Sequence, residues 1–102
     1  MDSSSHVLQL ESIIVAATDQ ISANLANQEI VLNLKSGTYY GLDRVGTRIW
    51  EFLKQPRRVV EILDMLLARY DVDRARAERD LIALLQKMAE AGLVEVKNET
   101  GA

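Results

Sequence analysis

The chain has no cysteine, one histidine, one proline and one tryptophan in 102 residues, and aromatics make up only 5% of it. Without cysteine there is no disulfide scaffold, no thiolate metal site and no cysteine nucleophile. The lone histidine, His6, lies in a polar N-terminal stretch, so histidine-based zinc sites and Ser-His-Asp chemistry lack their parts. No apolar run approaches the ~20 residues of a membrane span, and no signal-peptide core opens the chain. An excess of positive charge is missing too. Twelve Lys and Arg stand against 15 Asp and Glu, for a formal net charge of −3. A protein that coats nucleic-acid phosphates usually carries a basic field. What remains is 48% hydrophobic and 26% charged, the composition of one globular domain with a core of Leu, Ile, Val and Ala. These absences predict a small, soluble, cytoplasmic binding protein with no cofactor and no metal.

Residues 1–8 and 98–102 read as flexible tails around a single domain over 9–97. Within it the hydrophobic period changes. Ile13, Ile14 and Val15 are a short β-branched run. Ile21, Ala23 and Leu25 alternate with Gln20, Ser22 and Asn24, the period of a strand. Ile30, Leu32 and Leu34 alternate with Val31 and Asn33, the pattern of a half-buried strand. Gly37 suits the left-handed residue of a tight hairpin before Thr38-Tyr39-Tyr40-Gly41-Leu42. These segments predict a three-stranded antiparallel meander over about 20–42.

The second half has helical spacing. Asp43 caps a helix with apolar positions Val45, Ile49, Phe52 and Leu53, and Gly46 within it suggests close approach of another backbone. Pro56 ends that helix near Lys54. A second helix runs from about Val59 to Arg69. A third, capped by Asp73, runs from Arg74 to Ala91, with Gly92 placed for a left-handed C-terminal cap and Leu93 to Val96 as a short closing strand. The fold class is therefore α+β, a three-stranded antiparallel sheet followed by three helices, with the helix lengths of a winged helix-turn-helix.

No group of residues assembles a catalytic set. Asp43, Asp71 and Asp73 are explained by capping and turn chemistry. Gly37 and Gly41 do not form a phosphate loop. The third helix, in the recognition position of a DNA reader, carries Arg74, Arg76, Arg79 and Lys87, but Glu78, Asp80, Glu90 and the cap Asp73 cancel them. A winged-helix DNA-binding regulator and a purely structural subunit of an enzyme complex stay as alternatives. The strand Thr38–Leu42 points elsewhere. It is the last strand of the meander, hence an edge, and it holds neither Lys nor Pro, the usual devices that protect an edge. Tyr39 and Tyr40 must face opposite sides. An unprotected edge with an exposed tyrosine suits strand addition by a peptide.

The order Leu32-Asn33-Leu34, Gly37, Thr38-Tyr39-Tyr40-Gly41-Leu42-Asp43, then Val45-Gly46-Thr47-Arg48-Ile49-Trp50-Glu51-Phe52-Leu53, resembles the PqqD-like proteins. Tyr70-Asp71-Val72, Asp80, Leu84-Leu85, Met88 and Gly92-Leu93-Val94 continue the resemblance, which covers about residues 13–96. Asp43 departs from it, since many members have Asn there, but both residues cap helices. The resemblance implies a recognition element that binds the leader of a ribosomally made precursor peptide and presents it to a maturation enzyme, without catalysis of its own. It implies a leader paired with Thr38, Tyr39, Tyr40, Gly41 and Leu42 and lying against the third helix. There Arg76, Asp80, Ala83, Leu84 and Lys87 follow one another at short helical steps. The implied partners are a precursor leader and a separate enzyme. That enzyme is a lasso-peptide leader peptidase or, alternatively, a radical-SAM peptide maturase.

Overall fold

The computed structural model describes residues 8–18, 20–26 and 28–97. The expected tails at 1–7 and 98–102 lie outside these. Leu8, assigned to the tail from sequence, is 7% exposed and belongs to the core.

The meander forms as expected from β2 (Gln20–Leu25), β3 (Gln28–Asn33) and β4 (Thr38–Leu42), after β1 (Ile13–Ala16). Its order is β2-β3-β4, with Gln20 opposite Asn33 and Asn33 opposite Thr38. Gly37 takes φ +70° in the β3–β4 hairpin, and its N–H donates to the Asn33 carbonyl at 2.8 Å. The Asn33 side chain organises the same turn, its Oδ1 accepting from the backbone N–H groups of Lys35 (2.9 Å) and Ser36 (3.3 Å).

The face that β3 turns inward is not the apolar one. Glu29, Val31 and Asn33 are buried, whereas Ile30 and Leu32 are only half-buried and Leu34 is 53% exposed. Tertiary hydrogen bonds fix this choice. The Glu29 N–H donates to Thr47 Oγ1, and Asn33 Nδ2 donates to the Ala91 carbonyl at 2.8 Å. A one-residue shift of register would lose both.

A second sheet was not foreseen. β1 lies between β5 (Arg57–Arg58) and β6 (Val94–Lys97), antiparallel to both. The closing strand expected at 93–96 is β6. The Arg57-Arg58 pair, read from sequence as part of a connector, becomes a two-residue strand because β1 offers it a distant partner. Arg57 also reaches back, with its guanidinium 4.0 Å from the Phe52 ring centroid and its Nε donating to the Phe52 carbonyl.

Three helices complete the domain: α1 (Arg44–Phe52), α2 (Val59–Arg69) and α3 (Arg74–Glu90). Asp43 Oδ1 accepts from the Gly46 N–H at 2.7 Å and Asp73 Oδ2 from the Arg76 N–H at 3.1 Å, so both expected caps form. Gly46 is buried, yet what it meets is not another backbone. A Cβ there would lie 3.2 Å from the capping Asp43 Oδ1 and 3.4 Å from the Leu42 side chain. At the end of α3, Gly92 takes φ +79°, with Leu93 N–H donating to Met88 O and Gly92 N–H to Ala89 O, the paired bonds of a Schellman cap. Ile14, Val31, Ile49, Leu53, Val59, Ile62, Leu63, Leu85 and Leu93 form the centre of the core, each nearly inaccessible. Val45, expected on the apolar stripe of α1, is instead 37% exposed.

Candidate functional site

The site grows from the way β4 is held. α1 packs against β3 and β4, while α3 packs chiefly against α2 and β6. One side of β4 pairs with β3; among the described residues no strand pairs with the other. In an antiparallel pair the bonds to one neighbour come from alternate residues, so the rest of the N–H and C=O groups of Thr38–Leu42 point outward. The expected division of faces holds. Leu42 is 7% exposed and Tyr40 packs partly against the core, whereas Tyr39 is 70% exposed. Gly41 also faces outward, and a Cβ there would come 3.0 Å from Gln28 Nε2.

The outward face of the meander is apolar across its width. The register sets Ile21, Leu32 and Tyr39 in one row and Ala23, Ile30 and Gly41 in the next, with Leu25 opposite Gln28 at the margin. None of these eight residues is charged, and Ile21 and Leu25 are 56% and 62% exposed.

A cleft of about 510 Å3 opens beyond the C-terminal end of β4. Val45 lines it from the first turn of α1, Tyr70, Asp71, Val72 and Asp73 from the α2–α3 connection, and Arg76, Ala77 and Asp80 from the first turns of α3. Of the helix residues singled out from sequence, Arg76 and Asp80 therefore line one cleft with Val45, three residues beyond β4. Ala83 and Lys87 are exposed further along α3, and Leu84 is half-buried against the core. Sequence reasoning missed Val45, Tyr70, Val72 and Ala77. Val45 and Val72 are apolar residues left in solvent, whereas Tyr70 and Ala77 are half-buried against the core. Among the described residues no group of His, Cys, Asp and Glu could hold a metal ion, and no helix is long and apolar enough to cross a membrane.

Comparison with known proteins gives this architecture relatives. Residues 28–94, more than half of the chain, match the family model described as coenzyme PQQ synthesis protein D (PqqD). The PqqA binding protein of Rhodopseudomonas palustris strain TIE-1 is 36% identical over 58 residues, 57% of this chain and 57% of that protein. Its counterpart in strain ATCC BAA-98 / CGA009 is 34% identical over the same length. The chain thus spans little more than half the length of the curated relatives it matches. Among solved structures, TbiB1 in complex with the TbiA(beta) leader peptide superposes with a TM-score of 0.75 at 41% identity, covering 79% of this chain and 94% of that one. Lasso peptide synthetase B1 complexed with the leader peptide superposes with a TM-score of 0.67 over 80% and 96%, and at 23% identity that likeness speaks to the fold alone. With residues 28–94 matched to its model, the chain belongs to the PqqD family.

Proposed function

We propose that this protein binds the leader segment of a ribosomally synthesised precursor peptide as an added strand on β4, and delivers it to a separate maturation enzyme. The observation that carries this reading is the unpaired, unprotected edge of β4, beside a cleft and at the margin of an uncharged sheet face. The 41% identity to a protein solved with a leader peptide supports it. The leader gains main-chain hydrogen bonds from Thr38–Leu42, and its alternate side chains meet Tyr40 and Leu42 on one side and Tyr39 on the other. Arg76 and Asp80 stand where a strand leaving β4 reaches α3, with Ala83, Leu84 and Lys87 further along the helix. The chain supplies binding and orientation only.

The delivery half of the reading rests on the outward face of the meander. Eight adjoining residues without a charge make a surface that a soluble monomer rarely leaves bare. A partner enzyme seated there holds the leader at its own margin, since the face ends at β4. A lasso-peptide leader peptidase is the preferred partner and a radical-SAM maturase the second. The DNA-binding alternative is disfavoured by α3, where Asp73, Glu78, Asp80 and Glu90 offset Arg74, Arg76, Arg79 and Lys87 and leave no basic field for phosphate.

The test is fluorescence anisotropy with the labelled TbiA(beta) leader as probe. Gly41→Pro removes an N–H and constrains the strand, and Tyr40→Pro does so one residue earlier. The variant whose N–H faces outward should bind about 5- to 150-fold more weakly. If both fold and both bind like wild type, strand addition at β4 is wrong. Ile21→Asp should leave leader affinity unchanged and slow cleavage by added peptidase; unchanged cleavage removes the outward face from the delivery step.

A further inference from the structure

The cleft at the end of β4 has two chemically distinct parts. Its floor is apolar, with Val45 and Val72 remaining 37% and 48% exposed. Its rim is acidic. Asp71, Asp73 and Asp80 face one cation, Arg76, so three carboxylates against one guanidinium leave a formal charge of −2. Asp73 is committed to capping α3. Arg76 Nε stands 3.9 Å from Asp80 Oδ2, a loose pair with both side chains more than two-thirds exposed, and Asp71 forms no ion pair among the described residues. The cleft therefore holds unused negative charge above unused apolar surface.

A wholly apolar side chain would leave the rim unanswered, and a small polar one would leave the floor wet. Lys and Arg fit both parts, because their methylene stems lie on apolar surface while the cationic head keeps polar contacts. Resting on the reading of β4 as the leader-binding edge, we propose that this cleft is a subsite for one basic side chain of the bound leader. Its stem lies over Val45 and Val72, and its head sits between Asp71 and Asp80. Val45 follows Leu42 by three residues, so the subsite takes a residue just beyond the segment paired with β4. Main-chain pairing alone is indifferent to leader sequence. A cation held at a fixed distance from the paired segment supplies discrimination and sets the register of the added strand.

The experiment selects a displayed library of random peptides of about 14 residues, long enough at ~3.3 Å per residue to cover β4 and reach the cleft. Wild type and Asp71→Asn/Asp80→Asn serve as baits. Both positions are exposed and neither caps a helix, and thermal melting checks that the variant is folded. Wild type should enrich Lys or Arg at one fixed position; the double variant should lose that enrichment while still selecting peptides. The best wild-type peptide should bind the variant about 3- to 10-fold more weakly at low salt. Norleucine in place of the selected cation should cost wild type the same factor and cost the variant nothing. If both baits select one uncharged consensus, or norleucine weakens both equally, the basic subsite is overturned while leader binding stands. If neither bait selects a peptide that Gly41→Pro or Tyr40→Pro releases, edge binding itself fails and the subsite falls with it.

Discussion

The two three-stranded sheets are built from similar residues and finished differently on their outward sides. In the β5-β1-β6 sheet, Ile13 is flanked by Arg58 and Lys97, and Val15 lies opposite Glu95. Long charged side chains border Ile13 and Val15 on this face, which is solvated. In the β2-β3-β4 sheet the outward rows are Ile21-Leu32-Tyr39 and Ala23-Ile30-Gly41, with no charge among them. The first sheet joins segments from both ends of the domain and serves the core through Ile14 and Val94. The second gives the core only a narrow contribution, Val31 and Leu42, and keeps its hydrophobic surface outside. Apolar residues in a strand therefore do not by themselves mark a core; the charge of their cross-strand neighbours tells a solvated sheet face from an apolar one.

That contrast can be broken by mutation. Ile14→Ala, in the first sheet, empties a fully buried site and should cost about 2–5 kcal/mol, seen as a lower chemical-denaturation midpoint. Asn33→Ala tests the link between the second sheet and the helices. It removes the bond to Ala91 and the one oxygen that accepts both turn hydrogen bonds, and should cost about 1–3 kcal/mol. Asp43→Ala, which unseats the cap joining β4 to α1, should cost about 1 kcal/mol. Ile21→Lys, on the outward face, should change stability by no more than about 0.5 kcal/mol. If Ile21→Lys destabilises as much as Ile14→Ala, the outward face is part of the fold and the contrast between the sheets disappears.

Much of this molecule is legible in its sequence, and the illegible parts share a cause. Local signals are reliable: Asp43 and Asp73 as caps, Gly37 and Gly92 in left-handed conformations, and α2 from Val59 to Arg69 each follow from short-range chemistry. The β5-β1-β6 sheet depends on partners more than 35 residues apart in the chain, and two-residue β5 has no pattern of its own. The orientation of β3 was hidden for a related reason. Periodicity shows that Ile30 and Leu32 share a face but not that Thr47 and Ala91 hold the other face inward. The cleft is legible only in part, because Val45 and Val72 obey helical and turn spacing while standing in solvent.

Asn33 sits opposite Thr38, at the start of β4, and is bonded to Ala91, just past the end of α3. A Cβ at Gly92 would come 2.6 Å from its Nδ2, so the contact has no slack. The acidic cleft lies at the other end, where β4 finishes and α3 begins. One side-chain amide thus rivets the hairpin before β4 to the C-terminal cap of α3, so a change at either end of that bond is felt by both elements.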